Sequence, residues 1–250
     1  FFPSHVYAPD IEGQTGLTPD VKPDQRPNII YVPGGGFIFP PSARQKTKMG
    51  RLAERTFCTV IPGAHRLAPE NPFPAAPRDI AQQYREVTKA APQTPTFLAA
   101  DTAGASIVLG ALQILLEDGI DTPPRGIILF SPWCDLALSG WSYITKSVTA
   151  ESPFRMETAA FCARLYLGTH SATDPLASPI HAQLNGWPPL LIHTSKNDLH
   201  FDDAITLSEN AQKAQVEVRM NYWDSPRHHI ERLSPKDAER SYSEVRAFVD

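Results

Sequence analysis

A chain of 250 residues with a net charge of −4 and a pI near 6.1 has no basic surface to draw in nucleic acid or an anionic membrane from a distance. Apolar residues make up 42% and charged residues 20%, which excludes a disordered or low-complexity chain and describes an ordinary globular one. No apolar run approaches the ~20 residues that span a bilayer, and the longest, SIVLGALQILL, reads as a buried helix.

In chain order, residues 9–28 are rich in Pro, Asp and Gly and read as a loop. The first strand is expected at Asn28–Val32, followed by a helix over Ser42–Arg55, a strand at Phe57–Ile61 and a helix over Asp79–Ala90. Then come a strand at Thr96–Ala100, a helix over Ala103–Glu117 and a strand at Gly126–Phe130. The second half places strands at Leu190–Thr194 and Val216–Tyr222, with helices over Asp203–Ala214 and Pro235–Phe248. Most strands are short continuous apolar runs, as expected for strands buried on both faces. Strand and helix in alternation imply crossover units, hence an α/β fold with a mostly parallel central sheet flanked by helices. The chain reads as one domain over residues 1–250, with no internal repeat or linker.

Parallel sheets place ligands beyond the carboxyl ends of their strands. After the first strand comes PGGGF, Pro33 to Phe37, whose glycines let backbone N–H groups turn toward a developing oxyanion. A plain flexible loop would also explain it. After the Thr96–Ala100 strand comes ADTAG, residues 100–104, in the strand–turn–helix setting of a nucleophile elbow, with Thr102 at the hydroxyl position. The simpler reading is a structural turn with Thr102 as helix N-cap. After the Leu190–Thr194 strand comes SKNDLHFDDA, where Asp198 is the candidate acid; Asp202 or Asp203 reads as the N-cap of the next helix. After the last strand comes DSPRHHIERL, with His228 and His229. Hydroxyl, acid and histidine follow one another in the order used by α/β-hydrolases.

These segments together resemble the hormone-sensitive-lipase-like carboxylesterases over nearly all of residues 28–250. PGGGF is similar to the family's His-Gly-Gly-Gly-Phe loop, and HRLAPENPFPAAPRD to its Tyr-Arg-Leu-Ala-Pro-Glu segment. ADTAGAS is similar to Gly-Asp-Ser-Ala-Gly-Gly-Asn, SPWCDL and DPLASPI to further landmarks, and YWDSPRHHI to the closing Trp-Glu-Gly-Met-Pro-His. The resemblance implies an α/β-hydrolase fold with a small helical cap. Residues 141–180, with the helix-like METAAFCARLYLG, would supply that cap, and the family's N-terminal cap is expected to be largely missing from these 250 residues. It further implies catalytic roles for Thr102 as hydroxyl, His228 as general base and acid, and Asp198 as orienter, unless a one-residue shift puts Asn197 there. The N–H groups of Gly34, Gly35 and Ala103 would form the oxyanion hole. The aromatics Phe37, Phe39 and Trp133, with Trp141 and Phe154 nearby, are expected to line an apolar substrate pocket bounded by 141–180.

The departures are the family serine, glycine and loop histidine, replaced here by Thr102, Ala100 and Pro33. A β-branched residue tolerates an elbow's backbone badly and crowds its own oxygen. The expectation is therefore a repurposed carboxylesterase-type enzyme performing base-catalysed elimination or cyclisation on a small apolar carbonyl or ester metabolite, since some plant relatives are dehydratases or cyclases. A slow Thr-dependent esterase and a non-catalytic binding protein are the alternatives.

Cys58, Cys134 and Cys162 are far apart and odd in number, so free buried thiols and a cytoplasmic setting are expected. No clustered Cys/His set suggests a metal, and no cofactor is expected. The expected partner is a small-molecule substrate, without nucleic acid or membrane span, and with a homodimer allowed. The start FFPSHVYAPD has neither Met nor leader layout, so the native N-terminus is expected to lie further upstream.

Overall fold

A computed structural model describes residues 26–147, 155–223 and 234–250. Six parallel strands form one sheet in the order β2-β1-β3-β4-β5-β6. They are β1 (Asn28–Val32), β2 (Thr59–Pro62), β3 (Thr96–Asp101), β4 (Ile127–Phe130), β5 (Leu190–Ser195) and β6 (Val218–Trp223). The helices are α1 (Ala43–Thr56), α2 (Ala75–Ala90), α3 (Ala103–Glu117), α4 (Trp141–Thr145), α5 (Met156–Leu167), α6 (Phe201–Lys213) and α7 (Pro235–Val249). The parallel α/β architecture expected from the alternation is the one observed, and it agrees with the α/β-hydrolase fold that the resemblance implies.

Most differences lie at element ends. Helix α2 begins at Ala75 rather than Asp79, because Pro77 sits in its first turn, where a missing N–H costs nothing. Phe57 is not in a strand: it closes α1 in a left-handed conformation at φ 58°. The short α4 carries no periodic signal of its own and was not expected.

Residues β1, β3 and β4 present are buried on both faces, and period-2 alternation sorts them into two cores. Ile30, Val32, Leu98, Ala100 and Leu129 face α2 and α3. Ile29, Tyr31, Phe97, Ala99, Ile128 and Phe130 face Met49 and Leu52 of α1 and Tyr242 and Val245 of α7. β1 and β3, which end in the glycine loop and the Thr102 turn, therefore sit inside the sheet.

Helix α3 is buried along most of its length, and it crosses the end of β1 closely. A Cβ on Gly104 would lie 2.2 Å from the Val32 carbonyl oxygen and 3.2 Å from that of Pro33. Those are backbone atoms, so no rotamer change relieves the overlap. Gly104→Ala is expected to push α3 off β1 and to destabilise the protein by about 1–3 kcal/mol or more. A thermal melt that leaves the midpoint unchanged would show that α3 has room to spare.

Candidate active site

The carboxyl ends of β1, β3 and β5 bring three predicted segments to one edge of the sheet. Thr102 follows β3 directly, at φ 47° and ψ −119°. This is a left-handed backbone, far from the extended N-cap conformation, and its side chain makes no capping hydrogen bond to α3. The capping explanation for Thr102 is thus replaced by a sharp strand-to-helix elbow. The elbow is held by its backbone: Thr102 N–H donates to Phe130 O at 3.1 Å, and its carbonyl accepts from Trp133 N–H at 3.0 Å. A β-branched residue at positive φ stores about 1–3 kcal/mol of strain.

Asp101, the residue before the elbow, is the centre of the site's wiring. Its Oδ1 accepts the Gly34 N–H. Its Oδ2 accepts the Tyr31 hydroxyl at 2.7 Å and the Lys48 ammonium at 2.9 Å. From α1, Gln45 Nε2 donates to Gly34 O at 2.8 Å, so both polar groups of that glycine's peptide neighbourhood are held. A Cβ on Gly34 would meet Asp101 Oδ1 at 2.6 Å, so only glycine fits there.

This wiring corrects one assignment. Gly34 was expected in the oxyanion hole, but its single N–H is given to Asp101. Gly35, with φ 152°, and Ala103, the first residue of α3, remain as candidate donors. The loop carries a small pocket lined by Gly34, Gly35, Phe37, Phe39, His65 and Ala103. Its volume of about 10 Å³ has room for roughly one water. His65 is half-buried; its Nδ1–H donates to Arg66 O at 3.0 Å, and desolvation lowers its pKa.

The three predicted aromatics separate. Phe37 lines the pocket but is buried, stacked on Tyr166 with centroids 4.0 Å apart. Phe39 lines it too and is 63% exposed. Trp133 does not line it: its ring is sealed in the core, stacked on His200, with Nε1–H donated to Asp135 O. That expectation is corrected, because a ring with no exposed surface has none to offer a ligand. Trp141 is exposed, and Phe154 lies outside the described residues. Among the described residues, none from 141–180 lines this pocket.

Beyond β5, three acids compete for the orienting role. Asp203, expected as a helix cap, instead accepts Cys134 N–H at 2.7 Å, Asp135 N–H at 2.9 Å and the Tyr143 hydroxyl at 2.8 Å. Burial raises its carboxyl well above the usual range, while these donors act against the rise. Asp202 accepts Ser142 N–H at 2.9 Å. Both acids therefore brace the 134–143 segment, and helix α6 starts after His200. Asp198 sits in the turn after β5, 2% exposed, with Oδ1 accepting His200 N–H at 3.0 Å. His228 and His229 lie outside the described residues.

The cysteines are free and buried, and desolvation pushes the Cys58 thiol up to about 11, so none is a poised nucleophile. Among the described residues no group of three or more His, Cys, Asp or Glu could hold a metal. No described helix is long and apolar enough to cross a membrane.

Sequence reading missed Asp101, Tyr31, Lys48 and His193. The detectable signal was a charge out of place: Lys48 falls on the same helical face as Leu52 and Thr56, the buried face of α1. His193 in β5 lies behind Phe130, its Nδ1 2.5 Å from Ser241 Oγ.

A family model described as alpha/beta hydrolase fold matches residues 29–232. An acetyl-hydrolase of Streptomyces hygroscopicus is 33% identical over 198 residues, 78% of this chain and 65% of that protein. A carboxylesterase of Mycobacterium tuberculosis is 27% identical over 84% of this chain and 70% of its own. Among solved structures, a hormone-sensitive lipase from a metagenome library superposes with a TM-score of 0.84 at 31% identity, covering 92% of this chain and 79% of the other. The esterase EstE5, soaked with p-nitrophenyl butyrate, gives a TM-score of 0.81 at 29% identity, covering 89% and 76%. The chain spans a little under two thirds of the acetyl-hydrolase and of a similar Acinetobacter venetianus esterase, 65% and 64%.

His193 makes acid stability testable. Desolvation, then the charges of Lys48 and Arg240, lower its pKa to about 3. Unfolded, it binds a proton near 6.5, so between 6.5 and 3 the unfolded state holds the extra proton and stability falls with falling pH. The slope is up to ~1.4 kcal/mol per pH unit in that window and vanishes above it. His193→Gln is expected to flatten this part of a denaturant-melt profile; an unchanged acid slope would show that His193 does not titrate with unfolding.

Proposed function

Because the chain belongs to the α/β-hydrolase fold family, among relatives of the hormone-sensitive-lipase and carboxylesterase type, we propose that it hydrolyses short-chain carboxylic esters through Thr102. The observation that carries this reading is the backbone of Thr102: φ 47° and ψ −119° place it at a sharp β3–α3 elbow, against the glycine loop at Gly34. In this reading His228 takes the Thr102 proton as the oxygen attacks the acyl carbon, and Asp198 orients the histidine ring. The carbonyl oxygen gains charge toward the Gly35 and Ala103 N–H groups. The alcohol leaves with the proton from His228, and water then releases the acid from the acyl-threonine by the same route. Names of relatives support ester chemistry: acetyl-hydrolase, esterase and carboxylesterase.

One observation favours a second reading, base-catalysed elimination or cyclisation beside a carbonyl. The methyl of Thr102 is held at a backbone conformation that suits β-branched residues poorly, which hinders attack more than it hinders hydrogen bonding. Misplacement of an attacking atom costs about 100-fold. The two readings separate on p-nitrophenyl acetate and butyrate. Direct hydrolysis requires measurable wild-type turnover, a rise of about 10–100-fold with Thr102→Ser, and its loss in Thr102→Ala and His228→Ala. Turnover created only by Thr102→Ser, from none in the wild type, would favour the second reading. No turnover in either form would end the hydrolase reading.

A further inference from the structure

We propose that Lys48 is the positioning residue of this site, fixing the glycine loop against the Thr102 elbow through the carboxylate of Asp101. This rests on the hydrolase reading for its kinetic consequence, though not for its geometry. Lys48 Nζ lies 2.9 Å from Asp101 Oδ2, and both side chains are only 2% exposed. The ammonium also faces the Phe130 ring at 4.6 Å and the Tyr31 ring at 5.4 Å. Its partner is the residue immediately before Thr102, whose other oxygen receives the Gly34 N–H.

The division of labour follows from the carboxylate's two oxygens. Oδ2 is turned toward α1 and β1, where a cation and a phenol hold it. Oδ1 is thereby left directed at the loop. A buried carboxylate is costly to keep charged without a cation, and a neutral acid is a weaker acceptor for a backbone amide. The ion pair is a poor explanation for stability alone, since well-packed apolar side chains often replace buried pairs at no loss. What apolar side chains cannot reproduce is the direction of Oδ1. That direction sets where Gly34 stops and where Gly35, the next donor, begins. The same helix supplies Gln45 to the Gly34 carbonyl, so α1 grips the loop at two points one helical turn apart.

The test uses the full chain, with p-nitrophenyl butyrate as substrate and the Gly34 amide resonance as a second readout. Lys48→Met is expected to lower kcat about 10–100-fold with KM nearly unchanged, because loop misplacement acts on the transition state. The Gly34 amide proton should move upfield as its hydrogen bond weakens. Where Lys48→Met fails to fold, Lys48→Met combined with Asp101→Asn removes both charges and should show the same two changes. A Gly34 resonance at its wild-type position in the folded variant, or a kcat within about twofold of wild type, overturns the proposal. Absence of ester turnover in the wild type would instead strike the hydrolase reading, and the Gly34 resonance would then decide the role of Lys48 by itself.

Discussion

The carboxylate of Asp101 is the point on which the site depends. It ends β3, precedes the elbow, and joins three elements distant in sequence: Tyr31 in β1, the loop glycine Gly34, and Lys48 in α1. Period-2 alternation makes this possible. Tyr31, Asp101, Phe130 and His193 lie at the carboxyl ends of neighbouring strands, in register as Tyr31 with Ala99, Asp101 with Phe130, and Phe130 with His193. Their side chains share the α1 and α7 face of the sheet, so the polar wiring lies behind the elbow.

A second buried acid does comparable work on the other side. Asp203 gathers two backbone N–H groups from the turn after β4 and the phenol of Tyr143 in α4. The same turn reaches back to the elbow, since Trp133 N–H donates to Thr102 O. The elbow is therefore braced by the β4 loop, and that loop by the first turn of α6. A strained residue persists where its surroundings over-determine it, and Thr102 meets that condition from both neighbouring loops.

These braces also explain how the elbow accommodates a threonine. Ala100 and Ala103 flank it with small side chains, and Gly104 lets α3 lie against the Val32 and Pro33 carbonyls. The backbone path of a nucleophile elbow is thus set by close packing of α3 on β1 and by hydrogen bonds from β4. The identity of the central side chain changes what chemistry the turn can carry out more than it changes the turn.

The sequence by itself determined the layer order, the strand cores and the ends at which function gathers. Apolar runs and helical periodicity are local properties, and parallel crossovers send each loop to the same edge of the sheet. It placed Thr102 and Asp198 correctly at strand ends, because those positions follow from strand boundaries alone. Only the tertiary structure decided which polar groups are committed elsewhere. Gly34 could not be struck from the oxyanion donors until Asp101 was seen to take its N–H. Asp202 and Asp203 read as caps until the 134–143 segment arrived to claim them. Trp133 looked like a pocket wall because an aromatic beside a turn has no local mark of being buried. A hydrogen bond needs two partners, and when they are 53 to 70 residues apart, as Lys48, Gly34 and Tyr31 are from Asp101, only packing brings them together.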